Sequence, residues 1–145
     1  MDIRISAYAV IIDAENRMLL PHWMEYGFGS GWTVPGGGID PGEDPADAVV
    51  REVFEESGYR VDVAELLGID NLVIPGDRRT PSSGRRGVAL QNLRIVYRAH
   101  ITGGELTVET EGSTDDVAWF TPAQINTLNR VSLVDTARRM AGVIS

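Results

Sequence analysis

The chain has 145 residues, 43% of them hydrophobic and 23% charged, which suits one globular domain spanning 1–145 with a core that needs no staples. It has no cysteine, which removes disulfides, thiolate nucleophiles and cysteine metal sites from consideration and suits a cytoplasmic, reducing location. A net charge of −8 argues against a nucleic-acid backbone or an anionic membrane as partner and leaves small phosphorylated molecules, bound through intervening cations.

Met1-Asp2-Ile3-Arg4 opens no basic stretch followed by a long apolar run, so no signal peptide is expected. Ser6 to Ile12, small and branched, is predicted as a buried strand, turned by Asp13 to Asn16. Its apolar core, Ala7 to Ile12, is too short to span a bilayer. Met18 to Leu20 is the expected return strand, and His22 to Gly31, rich in glycine and aromatics, is expected to be a loop. Trp32 to Val34 is predicted as a short strand stopped by Pro35 and the glycines Gly36, Gly37 and Gly38.

The clearest helix follows. Asp44 is a good N-cap, Pro45 suits the first helical position and Gly58 is a natural stop. Ala46, Val49, Val50 and Val53 recur at helical spacing and predict the core-facing stripe. Val61 to Ile74 and Leu90 to Ile101 contain strands, and the loop between them, Pro75 to Gly87, carries Arg78, Arg79, Arg85 and Arg86, which are candidates to grip substrate phosphates. Val117 to Phe120 is another strand. Thr121, Pro122 and Gln124 mark a capped helix start, and Ser132 opens a last helix with Leu133, Val134, Ala137, Met140, Ala141 and Ile144 as its stripe. The mixture predicts an α/β fold, a mixed sheet with helices packed on it.

Glu52, Glu55 and Glu56 stand at i, i+3 and i+4, so their carboxylates share one helix face. Like charges at that spacing destabilise a helix by roughly 0.2–0.5 kcal/mol per pair, and Arg51, which reaches Glu55 at i+4, does not neutralise three glutamates. A divalent cation does. Oxygen ligands without cysteine or a nearby histidine point to Mg²⁺ or Mn²⁺ rather than Zn²⁺. Upstream, three glycines let the backbone approach a ligand closely, and the helix N-terminus favours anions. Trp23, Tyr26 and Phe28 are candidates for stacking on a base. His22 and His100 lack partners at ligand spacing and are expected to be structural.

The run from Gly37 to Tyr59 resembles the signature of the Nudix hydrolases. That signature is Gly, five residues, Glu, seven residues, then Arg-Glu-aliphatic-any-Glu-Glu-any-Gly-aliphatic. Gly37, Glu43, Arg51, Glu52, Val53, Glu55, Glu56 and Gly58 stand at the required spacings, and Trp32 to Gly37 looks like the usual lead-in. Tyr59 departs from the pattern at a packing position. The resemblance implies an α/β/α sandwich, a MutT-like pyrophosphohydrolase, and metal-dependent cleavage of a phosphoanhydride in a nucleoside diphosphate linked to another moiety. It implies that Glu52, Glu55 and Glu56 ligate the metal, with the Gly36 carbonyl joining them. Arg51 is counted with Glu52, Glu55 and Glu56 among the catalytic residues that the resemblance implies; Glu43 and Arg51 mainly hold loop and helix in register, and Gly37, Gly38 and Gly58 support the motif. Glu52 is one candidate base. A further acid is expected from a loop ahead of the late strand, with Glu111, Asp115 and Asp116 as candidates. The partner implied is a small nucleotide-type substrate rather than nucleic acid or membrane, and a homodimer is among the assemblies left open. The alternative is a non-catalytic, nucleotide-sensing module of the same fold, which typically lacks one or more motif glutamates; here all are present.

Overall fold

A computed structural model describes residues 1–108, 112 and 114–145. Four strands form a mixed sheet: β1 (Asp2–Val10), β4 (Gly36–Gly38), β5 (Tyr59–Ile74) and β6 (Leu90–Gly104), in the order β4-β1-β6-β5. β1 and β6 run parallel, while β1/β4 and β5/β6 are antiparallel. A second, antiparallel sheet is made of β2 (Met18–Glu25), β3 (Gly29–Trp32) and β7 (Thr114–Phe120), in the order β3-β2-β7. Helix α1 (Pro45–Ser57) covers one side, and the short α2 (Pro122–Ile125) and α3 (Ser132–Met140) cover the other. The expected α/β/α sandwich is present.

Side-chain alternation along strands explains the layering. Ala9 and Leu19 enter the core beneath α1 with Val49 and Val53, while their neighbours Val10 and Leu20 enter the core beneath α3 with Leu133, Val134 and Ala137. Strands buried on both faces read as continuous apolar runs, as Ala7 to Ile12 does.

Several boundaries differ from the sequence expectation. β1 starts at Asp2 rather than Ser6, because the polar residues Asp2 and Arg4 pair in parallel register with Leu90 and Asn92. The segment His22 to Gly31 is a β-hairpin, not a loop. Gly27, at a φ of 81° with open space around it, makes the turn, and a Cβ on Gly29 would touch the Trp23 ring at 3.6 Å. The three glycines do not simply stop a strand but form one, β4, paired with β1. The last helix ends at Met140, so Ile144 lies beyond it. The Thr121–Gln124 capping box is present as predicted, with Thr121 Oγ1 accepting from the Gln124 N–H and Gln124 Oε1 from the Thr121 N–H. Among the described residues no helix is long and apolar enough to cross a membrane.

Candidate functional site

Helix α1 starts where Asp44 Oδ1 accepts from the Ala46 N–H at 2.8 Å, with Pro45 as its first residue. It stops at Gly58, whose φ of 79° is left-handed and whose added Cβ would lie 2.3 Å from the Glu105 carbonyl. The buried face is Ala48, Val49, Val53 and Ser57. The predicted stripe is therefore rotated, and Val50 is 36% exposed. This rotation brings Glu52 and Glu56 to the edge of the core, next to the glycine strand, and leaves Glu55 facing outward.

The helix is tied to β4 through two carboxylates and one guanidinium. Glu56 Oε1 accepts from the Gly36 N–H at 2.8 Å. The Glu52 carboxylate lies against Gly37 so closely that a Cβ there would sit 2.9 Å from its Cδ. Glycine is thus required by contact with the site, beyond any need of a turn. Arg51 closes the arrangement. Its Nε and Nη2 donate to the two oxygens of Glu43, each at 2.9 Å, and Nη2 also donates to the Gly38 carbonyl at 3.1 Å. Nη1 reaches Glu52 at 3.0 Å and, more weakly, Glu55 at 3.4 Å. The Arg51 bonds, helped by the Asp40 N–H, hold the Glu43 carboxyl down to about 2. Glu43, and then Glu52, push the Arg51 guanidinium up. Glu43 and Arg51 therefore join the loop, β4 and α1.

The donor set is oxygen only, from carboxylates and backbone carbonyls, and its chemistry fits a hard divalent cation. Among the described residues, however, no three acid or histidine side chains converge closely enough to hold one. Glu55 is turned to Arg51 and Glu56 to the Gly36 N–H.

Two of the further acids, Asp115 and Asp116, do not lie in a loop ahead of the late strand. Asp115 and Asp116 are inside β7, and Glu111 falls outside the described residues. Asp115 Oδ1 is 2.6 Å from His22 Nδ1, so His22 has the partner that sequence spacing did not reveal. Asp116 Oδ1 accepts from the Val117 N–H. The register passes from His22↔Asp116 to Trp23↔Thr114, and the skipped Asp115 makes a bulge. That bulge brings Thr114, which is buried, to Glu56, with Oγ1 and Oε2 3.5 Å apart. Thr114 escaped the sequence reading because only a pairing irregularity puts it there.

The four arginines of the loop after β5 turn away from the helix glutamates. Arg79 is 3% exposed and donates to Asp2, to the Val88 carbonyl and to the Ser83 carbonyl. Arg85 also bonds Asp2, and Arg86 lies over the Phe28 ring at 5.5 Å. Arg78 is exposed at the end of a 3-10 turn. None of the four lines the cleft of about 430 Å³ that opens from Gly36, Glu56 and Thr114 between the two sheets. That cleft takes Ser82 from this loop, with Arg4 and Arg94 as its cations, and Trp23 in its wall. None of Arg4, Asn92 and Arg94 is a candidate by sequence: Arg4 precedes the first predicted strand, and Asn92 and Arg94 lie inside a segment read only as strand. Tyr26 is 93% exposed and Phe28 faces Arg86, so only Trp23 of the three aromatic candidates meets the cleft. A second depression, about 480 Å³, shares only Glu55 with the glutamate cluster.

Comparison with known proteins bears on this geometry. The family model described as the NUDIX domain matches residues 2–140. A "MutT-like protein" of Streptomyces ambofaciens is 29% identical over 122 residues, covering 84% of this chain and 66% of that protein. "Diphosphoinositol polyphosphate phosphohydrolase 2" of Homo sapiens is 55% identical over 38 residues, 26% of this chain and 21% of that protein. The chain thus matches 66% of one relative's length and 21% of the other's. Among solved structures, a NUDIX hydrolase from Nitrosomonas europaea matches with a TM-score of 0.76 at 22% identity, covering 98% of this chain and 90% of that one, a likeness of fold.

Proposed function

The chain belongs to the NUDIX family, and on that premise we propose that it hydrolyses a phosphoanhydride (pyrophosphate) bond in a nucleoside diphosphate linked to another moiety, using Mg²⁺ or Mn²⁺. The observation that carries this reading is the seating of the complete glutamate helix on the glycine strand. Glu52 lies against Gly37, Glu56 bonds the Gly36 N–H, and Glu43 with Arg51 locks the two elements together.

We assign Glu52, Glu55, Glu56 and the Gly36 carbonyl as the ligand set. A divalent cation held there neutralises phosphate oxygens and lowers the pKa of the attacking water. Glu52 is the proposed base. Its side chain is 18% exposed and lies against Gly37, and its Oε1 accepts from Arg51 Nη1 at 3.0 Å. Asp115, bonded to His22, and Asp116, bonded to the Val117 N–H, stand on β7 rather than on the glutamate helix. Thr114, beside Glu56, orients that carboxylate. The substrate lies with its diphosphate at Gly36 and Glu56 and one end in the cleft between the sheets.

The test is a pair of isosteric changes, Glu55→Gln and Glu56→Gln, with folding monitored in parallel. Each removes a charge and keeps the shape. The expected result is loss of turnover by about 100-fold or more with the melting temperature nearly unchanged. Turnover equal to the parent protein in both variants contradicts the reading. Nucleotide binding without turnover in the parent itself selects the sensing module instead.

A further inference from the structure

The bulge in β7 decides which side chain of that strand faces the glutamate helix. Residues directly opposite in an antiparallel pair share a face of the sheet. Leu19 and Pro21 of β2 stand opposite Trp119 and Val117, and Leu19, Val117 and Trp119 meet the core beneath α1. Met18 and Leu20 stand opposite Phe120 and Ala118, and Met18, Leu20 and Phe120 meet the core beneath α3. His22 pairs with Asp116 on this second face, where its ring makes a T-shaped contact with Trp32, centroids 5.0 Å apart. Continued without interruption, the alternation sets Asp115 opposite Trp23, on the face of α1. The register instead sets Thr114 opposite Trp23.

The two arrangements differ in what reaches Glu56. A threonine hydroxyl can donate to that carboxylate, and Thr114 Oγ1 stands 3.5 Å from Glu56 Oε2. An ionised aspartate in its place brings a second negative charge and no donor. Asp115 is drawn the other way, to the side of His22: its Oδ1 accepts from His22 Nδ1 at 2.6 Å. Asp116 supports the same arrangement by accepting from the Val117 N–H at 2.8 Å. The His22–Asp115 pair is partly exposed, with side chains 22% and 46% accessible. Such a pair adds little to the stability of a whole fold, but this one has only to choose between two registers at the end of one strand.

We propose that His22 and Asp115 are positioning residues for the glutamate site: their pair holds the bulge, which keeps the Asp115 carboxylate away from Glu56 and brings the Thr114 hydroxyl to it. His22 thus acts on Glu56 through Thr114. The turnover arm of the test rests on the hydrolase reading above, and the register arm does not.

The register arm reads nuclear Overhauser contacts in the isotope-labelled protein, with neither metal nor substrate added. The parent is expected to show Trp23 across the strands from Thr114, and the Thr114 methyl near the Glu56 side chain. In His22→Ala, Trp23 is expected to face Asp115, and the contact of Thr114 with Glu56 to be lost. His22→Asn, whose amide Nδ2 offers a donor at about the place of the ring Nδ1, restores both. Should His22→Ala not fold, Asp115→Ala, at the more exposed partner, decides the same point by the same loss of contact between Thr114 and Glu56. A parent with Asp115 opposite Trp23, or a folded alanine variant that keeps the contact of Thr114 with Glu56, overturns the proposal. The turnover arm compares His22→Ala, Thr114→Val and the double variant. Each single change is expected to lower kcat about tenfold, as the loss of a group that orients a metal ligand does. The double variant falls no further, because both changes act on one contact, and His22→Asn recovers most of the loss. Losses that multiply in the double variant, or a kcat that His22→Asn does not recover, overturn the positioning role. An inert parent protein sinks the hydrolase reading, while the register contacts still decide the positioning.

Discussion

Arg51 shows at the scale of one residue how a charged cluster is held at the edge of a core. Its guanidinium uses planar, bidentate geometry to grip Glu43, and it reaches Gly38, Glu52 and Glu55 with what remains. A lysine offers a single point charge and does not span these partners. The Glu43 carboxyl, held down from 4.5 to about 2, gives a pH dependence of definite sign. A depressed carboxylate stabilises the folded state above its unfolded pKa, and that contribution is lost as pH falls from about 4.5 through about 2. Glu43→Gln removes it. Melting temperatures taken from pH 6 down to pH 2.5 are expected to fall less steeply below pH 4.5 in the variant than in the parent, with the two slopes alike above it. Gly37 gives a second test. A Cβ there would meet the Glu52 carboxylate at 2.9 Å, so Gly37→Ala displaces that group with little effect on folding. Turnover is expected to drop about 100-fold, the usual consequence of moving a reacting group by an ångström. An unaffected kcat in a folded variant speaks against Glu52 as a participant. The caps Asp44, Gly58 and Thr121 were legible in sequence because each satisfies backbone groups of its own segment. Thr114 and Asn92 were not, since their partners Glu56 and Ser6 lie 58 and 86 positions away.

The elements were legible wherever one local rule decided them. Helix α1 follows from its caps and its period, yet its inward face is rotated from the valine stripe. Periodicity weighed Val50 with Val49 and Val53, whereas the packing partners from β1 and β5 select Ala48, Val49 and Val53. The difference is measurable. Val53→Ala opens space in the core and is expected to cost about 2 kcal/mol, while Val50→Ala on the exposed side stays within about 0.5 kcal/mol. Urea unfolding of both variants checks this, and equal losses contradict the rotated face. The glycine strand β4 was misread for a related reason. Three glycines in sequence look like a stop, but their lack of side chains is what lets the strand pass between β1 and α1. A Cβ on Gly36 would lie 2.2 Å from the Ala7 carbonyl. Likewise the hairpin of β2 and β3 resembled a loop because only Gly27 makes its turn, while Gly29 lies within a strand against the Trp23 ring.

In the whole molecule the catalytic candidates and the cleft meet at one place, where β4, α1 and β7 converge on Gly36, Glu56 and Thr114. The glutamate helix lies outside the mixed sheet and the cleft lies between the sheets, and the proposed substrate would have its diphosphate at the junction. The signature within Gly37 to Tyr59 made the glutamate half of this site readable from sequence. The cleft half depends on parallel pairing of β1 with β6, a contact across the chain that no local pattern announces. Of the four arginines after β5, Arg79 and Arg85 hold Asp2, and none of the four lines this cleft. The central claim, metal-dependent cleavage of a phosphoanhydride, is tested most directly by monophosphate release from a panel of nucleoside diphosphate-linked substrates with Mg²⁺ or Mn²⁺, and with EDTA as control. The account predicts release that EDTA abolishes and added metal restores, with one substrate well ahead of the rest. Release unaffected by EDTA, or none from folded protein that binds both metal and nucleotide, contradicts it.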